Sequence, residues 1–364
     1  MQRRSFLKQA ATGSAVAGAL AAPAIVGAQP TIRWRLASSY PKSLDTLYGA
    51  SETLSKLVSA GTGGKFQISV HAAGELVPAL QVLDAVQQGT VDCGSTLGSF
   101  YFGKDPTFAF DTTLPFGLNT RQMLAWMHDG GGMALMREMY AEHGVVNFPM
   151  ANTGAQMGGW FRKEINSLED LKGLKMRIAG VAGTIMGKYG LVAQQLGAGD
   201  LYPSLERGTI DAAEFAGPYD DERLGLYKVA KNYYYPGWWE GCAQVSLLVN
   251  QKAYDALPAE YKSVLEAASA YAMTECIAKY DARNPAALRR LVGGGAVLKA
   301  FPRPVLDACW TASQEWYAET AGKNAKFKKV YDAWSRFRTD SVTWFRVTEN
   351  TFDDYLAAQL ATRR

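Results

Sequence analysis

The sequence is poor in histidine and cysteine and carries no large excess of either charge. Its 364 residues include three histidines, four cysteines, 38 basic and 34 acidic side chains, for a formal charge of +4. So small an excess gives no electrostatic footprint for nucleic acid. An apolar content of 48% excludes a disordered or collagen-like chain, and the few cysteines exclude a disulfide scaffold. A chain of this length buries a substantial core and is typical of two domains.

Neither the cysteines nor the histidines follow a metal-binding pattern. The cysteines are Cys93, Cys242, Cys276 and Cys309, and the histidines are His71, His128 and His143. The cysteine spacing predicts small buried residues and leaves a Cys276–Cys309 disulfide open. The chain also lacks the H-E-x-x-H, G-x-x-x-x-G-K-[ST] and G-x-S-x-G signatures of metalloproteases, P-loop proteins and serine hydrolases. These absences favour binding over catalysis.

The first 28 residues have the features of an export signal. Arg3 and Arg4 precede an uncharged stretch rich in Ala, Gly and Val, and small residues allow cleavage near Ala28. Residues 3–8 resemble the twin-arginine motif of bacterial export signals. A transmembrane anchor is the alternative, but the apolar stretch is short and poor in large side chains. Cleavage would remove three of the 38 basic residues and no acid, leaving 35 basic against 34 acidic residues.

Apolar spacing in the first third predicts alternating strands and helices. A strand at Ile32–Leu36 precedes a helix over Ser43–Ala60, and Phe66–Val70 alternates as a second strand. A further helix over Pro78–Gln88 leads into a strand near Cys93. This order is typical of an α/β fold with a largely parallel sheet.

A second run of the same kind begins after residue 150. The stretch Leu205–Ala212 repeats the pattern of Val86–Cys93, in which a helix stops at a glycine and a short strand follows at once. We therefore expect two similar α/β lobes, with a ligand site at the strand carboxyl ends between them. The last third, from about Gln251, is predicted to be mostly helical, with an interruption at Asn284-Pro285.

Three segments form the candidate site, and an aromatic segment lies just beyond the third. Asn152–Trp160 places amide side chains among glycines, which allow a ligand to approach the backbone closely. Lys175–Gly180 carries a lone arginine, Arg177, in an apolar strand, and the acidic and aromatic segments Asp211–Asp221 and Tyr233–Glu240 follow. The alternative interpretation is structural: Arg177 pairs with Glu214 as a buried bridge, and the aromatic residues belong to the core.

Several of these motifs occur in the order of a known family. They are the twin-arginine leader, Gly74–Pro78, Phe102–Pro106, Asn152–Trp160, the Arg177 strand and Leu201–Asp211. Together they resemble the extracytoplasmic solute receptor of a tripartite ATP-independent periplasmic (TRAP) transporter. Glu214–Asp221 and Tyr233–Glu240 resemble the site region of its α-keto acid-binding subgroup. The resemblance covers nearly the whole chain after residue 28.

The resemblance implies a two-lobed periplasmic binding protein, type II-like, with the ligand cleft between the lobes and long C-terminal helices. Lobe I would contain residues 29–151 and about 241–280, and lobe II residues 152–240 and about 285–320. Residues from about 321 to 364 would form a helical segment through which two copies make a homodimer. The protein would work in the periplasm, where closure over the ligand creates the form that the TRAP membrane subunits recognise.

The resemblance also implies a role for each residue of the site. Arg177 would bind the substrate carboxylate, because a guanidinium offers two parallel donors and stays charged when buried. A cation, Na⁺ with Ca²⁺ as the alternative, would lie between protein oxygens and the carboxylate and α-oxygen of the ligand. The implied substrate-binding residues are Arg177, Gln156, Phe215, Asn152 and Tyr101. The implied metal ligands are Gln156, Glu214, the backbone carbonyl of Phe215, and Glu240.

One departure from the subgroup affects the ligand. Phe215 stands where the subgroup usually has tryptophan, and Ala216 where it has a larger residue, so the apolar wall is smaller. The ligand is expected to be pyruvate or a longer 2-oxo monocarboxylate, with a 2-hydroxy acid such as lactate as the alternative. A signalling receptor of the same fold is another alternative. An exported hydrolase or lyase that uses Glu214 or Glu240 as a general base is a remote one.

Overall fold

The computed structural model describes residues 30–362, so the predicted signal peptide, residues 1–28, lies outside the described residues. The strands are β1 (Ile32–Ser38), β2 (Phe66–His71), β3 (Cys93–Thr96), β4 (Val145–Asn152), β5 (Gly159–Phe161), β6 (Lys175–Arg177), β7 (Val192–Gln194), β8 (Ala212–Ala213), β9 (Asn232–Tyr235), β10 (Gln244–Asn250) and β11 (Val297–Ala300). They form two sheets among which helices are interspersed, which confirms the α/β class.

The helices alternate with the strands and then dominate the C-terminal third. They are α1 (Leu47–Gly61), α2 (Val82–Gln87), α3 (Ala109–Thr112), α4 (Thr120–His128), α5 (Gly132–Ala141), α6 (Val181–Gly187), α7 (Leu201–Glu206), α8 (Pro218–Leu224), α9 (Gln251–Asp255), α10 (Ala259–Gly293), α11 (Arg303–Lys323), α12 (Ala325–Phe345) and α13 (Thr351–Ala361). A π-helical turn, Arg346–Asn350, joins α12 to α13. No helix within residues 30–362 is long and apolar enough to span a membrane.

The two sheets are mixed, whereas the sequence predicted a largely parallel one. The first sheet has the strand order β2-β1-β3-β10-β4 and the second the order β11-β9-β5-β8-β6-β7. Every antiparallel pair involves β5 or β10, two strands that the chain enters from the other sheet. A strand that arrives this way has no βαβ crossover to fix its direction, and β11, which arrives in the same way, pairs parallel to β9. The division into two lobes stays a prediction, because the residues from Ile32 onwards form one compact unit.

The sequence repeat at the ends of α2 and α7 has a structural counterpart. Gly89 and Gly208 both adopt a left-handed φ, 70° and 71°, which glycine tolerates without steric cost. Each donates its backbone N–H to the carbonyl three residues earlier, at 3.1 Å in both copies. The carboxylates of Asp92 and Asp211 then each accept a backbone N–H from the neighbouring parallel strand, at 2.7 and 3.0 Å. The same local device therefore starts β3 in one sheet and β8 in the other.

The predicted interruption at Asn284-Pro285 is wrong. Helix α10 is 35 residues long and passes through Pro285 without a break. Proline removes a helical hydrogen bond and costs about 3 kcal/mol in a helix interior. Contacts on both sides of it offset that cost. Asn284 Oδ1 accepts the backbone N–H of Tyr219 in α8 at 3.0 Å, and Ala287, two residues after the proline, is buried. The helix packs along α1, β4 and α8.

Candidate functional site

Arg177 and Glu214 meet at the carboxyl ends of two neighbouring strands. Strands β6 and β8 run parallel, with Arg177 opposite Ala213, so the residue that follows β8 lies beside the last residue of β6. Carboxyl ends of parallel strands are the usual ligand-binding edge of an α/β sheet. The backbone continues the pairing, since the Glu214 N–H donates to the Arg177 carbonyl at 3.2 Å.

The two side chains form a buried ion pair, with Arg177 Nη1 2.6 Å from Glu214 Oε1. Nη1 also donates to the Glu214 carbonyl at 2.7 Å, and Arg177 Nε donates to the Leu196 carbonyl at 3.1 Å. The Ala179 N–H donates to Glu214 Oε1 at 3.0 Å. Burial raises the pKa of Glu214, while the Arg177 charge and these hydrogen bonds oppose the rise. The structural pairing considered from sequence is thus present, and it fixes the guanidinium in place.

The glycine-rich segment after β4 lies against both Glu214 and the Tyr233–Glu240 segment. Gly159 has φ +88°, and a Cβ there would lie 2.9 Å from the Glu214 Cα. Only glycine therefore allows this close approach. The Met157 N–H donates to the Ala216 carbonyl at 2.9 Å, and the Gln156 N–H donates to the Glu240 carbonyl at 3.4 Å. Three of the segments singled out from sequence are thereby brought together.

Gln156 presents a buried oxygen without a partner. Its amide nitrogen donates to Thr153 Oγ1 at 3.0 Å, but its Oε1 has no hydrogen-bond partner within residues 30–362. A buried carbonyl oxygen left unpaired costs about 1–3 kcal/mol, so such an atom is unusual unless it binds something. This atom is the one that the family resemblance assigns to the metal.

Glu240 brings a second carboxyl group to the same place. A cis Tyr235-Pro236 bond precedes it, and the Gly237 N–H donates to the Gln156 carbonyl at 3.0 Å, which returns the chain to the glycine-rich segment. Glu240 is buried. Burial and the adjacent Glu214 charge raise its pKa well above the usual value, against the Arg177 charge.

These groups line a small cavity. Its lining residues are Tyr40, Leu47, Leu97, Thr153, Gln156, Arg177, Ala179, Glu214, Phe215, Ala216, Glu240, Ala243 and Val245. The guanidinium carbon of Arg177 also lies 5.7 Å from the centre of the Phe215 ring.

Two of the predicted substrate-binding residues do not line this cavity. The Tyr101 hydroxyl is engaged with Thr96 Oγ1 at 2.9 Å and accepts the Leu83 N–H at 3.1 Å. Asn152 Oδ1 accepts the Gly154 N–H at 2.9 Å, so this side chain shapes the glycine-rich turn. The sequence analysis missed Tyr40, which stands alone after β1 with no motif around it, and the apolar residues of the first sheet.

The donor set fits a hard cation that is held partly by its ligand. No group of three or more His, Cys, Asp or Glu residues able to hold a metal occurs in the part of the chain that the structure describes. The oxygens available are those of Glu214, Glu240 and the unpartnered Gln156 Oε1, with backbone carbonyls beside them. Hard cations prefer such oxygen donors, and calcium takes about six to eight of them. Oxygens of a bound organic anion would supply the rest.

The fold and this site define a solute-binding protein, and sequence comparison gives the family. Residues 37–324 match the DctP family, bacterial extracellular solute-binding protein family 7. The chain therefore belongs to that family, the solute-binding proteins of TRAP transporters. This confirms the resemblance found from the motifs.

Three relatives are similar over most of their length. The monocarboxylate 2-oxoacid-binding periplasmic protein of Nostoc sp. is 46% identical over 98% of this chain and 100% of the relative. A TRAP solute-binding protein of Bordetella bronchiseptica, solved with calcium and picolinate in one site of a dimer, is 50% identical with a TM-score of 0.91, covering 92% of this chain and 100% of its own. A TRAP solute-binding protein of Pseudoalteromonas atlantica, solved with sodium and pyruvate, is 37% identical with a TM-score of 0.87. The match covers 89% of this chain and 99% of that protein.

Proposed function

We propose that this protein captures a small 2-oxo monocarboxylate, pyruvate or a longer one, together with a cation, and delivers it to TRAP membrane subunits in the periplasm. The observation that carries the proposal is the enclosed cavity in which Arg177, Glu214, Glu240 and the unpartnered Gln156 Oε1 converge. The three relatives support it. The Nostoc protein is named for 2-oxoacid binding, and the Bordetella and Pseudoalteromonas proteins were solved with picolinate and pyruvate, which are small organic acids.

The charges of the cavity favour a monoanion over a dicarboxylate. Arg177 is the one basic residue among the residues that line it, and Glu214 and Glu240 are acidic. A second ligand carboxylate would enter a buried site without a partner, which is strongly unfavourable. Leu47, Leu97 and Val245 add an apolar wall, which suits the hydrocarbon part of a monocarboxylate.

Charge balance also explains why a cation would accompany the anion. With Glu214 and Glu240 both ionised, Arg177 leaves one negative charge in excess, and the ligand carboxylate adds another. Calcium would then give a neutral site. If Glu240 is protonated, sodium gives the same balance. On the family resemblance we propose sodium, with calcium as the alternative that elemental analysis of the purified complex would identify.

The cation would be held by Gln156, Glu214, Glu240 and the Phe215 carbonyl. When bound, it supplies positive charge to the ligand oxygens. Arg177 would bind and orient the carboxylate, since its hydrogen bonds to Glu214 and Leu196 already hold the guanidinium in one position. The apolar wall excludes water from the rest of the ligand. Capture requires no bond making, so we propose that the protein has no enzymatic activity; pyruvate incubated with it should be recovered unchanged.

The test is the Arg177→Lys variant. Lysine retains a positive charge opposite Glu214 but loses the planar two-donor geometry. Each charge-assisted hydrogen bond contributes about 1.5–3 kcal/mol, so the dissociation constant for pyruvate should rise roughly 10- to 100-fold, measured by calorimetry in sodium buffer. Arg289→Lys on the exposed face of α10 is the matched control and should bind like wild type. Normal binding by Arg177→Lys would contradict the proposed site.

A further inference from the structure

Tyr40 is held by its backbone at the carboxyl end of β1, in the first sheet. Its N–H donates to Ser38 Oγ at 3.1 Å, and its carbonyl accepts the Ala73 N–H at 3.1 Å. The phenol ring is buried, with 1% of the residue exposed. Two backbone hydrogen bonds therefore tie Tyr40 to the end of the first sheet, and packing in a buried cluster holds the ring.

The hydroxyl of Tyr40 has no hydrogen-bond partner within residues 30–362, although it is buried and its side chain lines the site cavity. Tyr101, close by, shows the ordinary arrangement, because its hydroxyl meets both Thr96 and Leu83. A buried tyrosine hydroxyl usually has a partner. Tyr40 is thus a second unpaired polar group of this cavity, a donor that complements the acceptor Gln156 Oε1.

A bound organic anion would need donors beyond Arg177. Arg177 Nη1 and Nε already donate to Glu214 and to the Leu196 carbonyl, and the other charged groups of the cavity, Glu214 and Glu240, are carboxyl groups. Burial, with the nearby Glu240 charge, raises the pKa of Tyr40 well above its usual value. The phenol therefore keeps its proton at neutral pH and remains a donor.

We propose that the Tyr40 hydroxyl donates a hydrogen bond to an oxygen of the bound organic anion, and that this bond ties the ligand to the first sheet while Arg177 ties it to the second. The inference rests on the proposed function, and it adds a binding residue from the opposite sheet. The family resemblance implied a different tyrosine, Tyr101, as a substrate-binding residue.

The test is Tyr40→Phe, which removes the hydroxyl and keeps the ring. Because the hydroxyl has no partner among the described residues, its removal should leave the unfolding midpoint measured without ligand unchanged or raise it. In contrast, the dissociation constant should rise roughly 10- to 100-fold, as for a lost hydrogen bond to a charged group. The probe is whichever of pyruvate and its longer-chain 2-oxo homologues the wild type binds most tightly in sodium buffer, measured by calorimetry.

Tyr48→Phe is the matched control. Tyr48 is also buried, but its hydroxyl donates to the Val70 carbonyl at 3.4 Å and it does not line the cavity, so binding should be unchanged. Wild-type affinity in Tyr40→Phe would overturn the assignment and leave the proposed function intact. Weaker binding accompanied by an equally large loss of ligand-free stability would also overturn it, because the hydroxyl would then have a structural partner. Failure of the wild type itself to bind any of these acids would overturn the proposed function and the assignment with it.

Discussion

Asp221 is a fully buried carboxyl group in the first turn of α8, and its environment makes folding stability depend on pH. Its Oδ2 accepts hydrogen bonds from Tyr233 Oη at 2.7 Å and from Trp160 Nε1 at 3.0 Å. Burial is the largest influence and raises the pKa from 3.8 to about 7. The two hydrogen bonds oppose this rise, and the Asp220 charge adds to it. We predict that Asp221→Asn removes a pH-dependent part of the stability.

The sign and size follow from proton linkage. Between pH 3.8 and about 7 the carboxyl group is protonated in the folded chain and ionised in the unfolded chain. The free energy of unfolding contributed by Asp221 is therefore greatest at low pH and falls as pH rises towards the folded pKa. One pKa unit corresponds to about 1.4 kcal/mol. Between pH 5 and the folded pKa there are roughly two pH units, each of which lowers the free energy of unfolding by about 1.4 kcal/mol. From pH 5 to pH 8 the free energy of unfolding of the wild type should therefore fall by about 3 kcal/mol relative to that of Asp221→Asn.

The assay is urea unfolding of the ligand-free protein at pH 5, 6, 7 and 8, for wild type and variant. Subtracting the two curves cancels the titrating groups that do not interact with Asp221, so the difference reports Asp221 together with its coupling to Asp220, whose pKa is raised to about 6. The variant also loses the hydrogen bond from the Ala216 N–H to Asp221 Oδ1, at 3.4 Å. This loss should lower the free energy of unfolding by the same amount at every pH. Asp129→Asn, on an exposed residue, is the control. A difference between wild type and Asp221→Asn that stays constant from pH 5 to 8 would refute the reasoning.

Two further predictions concern the cysteines and the C-terminal segment. Burial raises the pKa values of Cys242 and Cys276 to about 12, so native protein should resist iodoacetamide at pH 8 and react only after unfolding; rapid native alkylation would contradict this. The resemblance implies a homodimer through the C-terminal helices, and Phe352 and Tyr355 expose 66% and 68% of their surface on α13. We therefore expect the full chain to be a dimer in light scattering, and a chain ending at Phe345 to stay folded by circular dichroism but to be a monomer. A dimer that survives this truncation would place the contact elsewhere.

The sequence alone predicts the parts of the site that depend on local spacing. Arg177 lies in an apolar strand, and Glu214 follows a strand start that repeats an earlier one. Both strands are short, and their parallel pairing follows from the chain order of the α/β pattern. The cysteines show the same agreement, since all four are buried and free, so the Cys276–Cys309 disulfide left open from spacing is absent.

What the sequence could not predict depends on contacts between distant segments. Pro285 is a helix breaker by propensity, yet α10 passes through it because Asn284 and its neighbours pack against α8. The antiparallel direction of β5 and β10 could not be predicted, because apolar periodicity does not record which way a strand runs after the chain changes sheet. Tyr40 carries no motif, and its role is visible only when its hydroxyl is seen to be buried, unpaired and beside Glu240 and Arg177.

The ion pair between Arg177 and Glu214 constrains how a ligand can enter. Because each compensates the other's charge in the buried site, an organic anion alone would bring an unpaired negative charge, and a cation alone would bring a positive charge without the oxygens it needs. Anion and cation entering together add little net charge and complete each other's contacts. The two unpaired atoms of the cavity match this division, since Gln156 Oε1 is an acceptor suited to the cation and the Tyr40 hydroxyl is a donor suited to the anion. By thermodynamic reciprocity, each partner then strengthens the binding of the other by the same factor, so affinity for the organic acid is also set by the concentration of the cation.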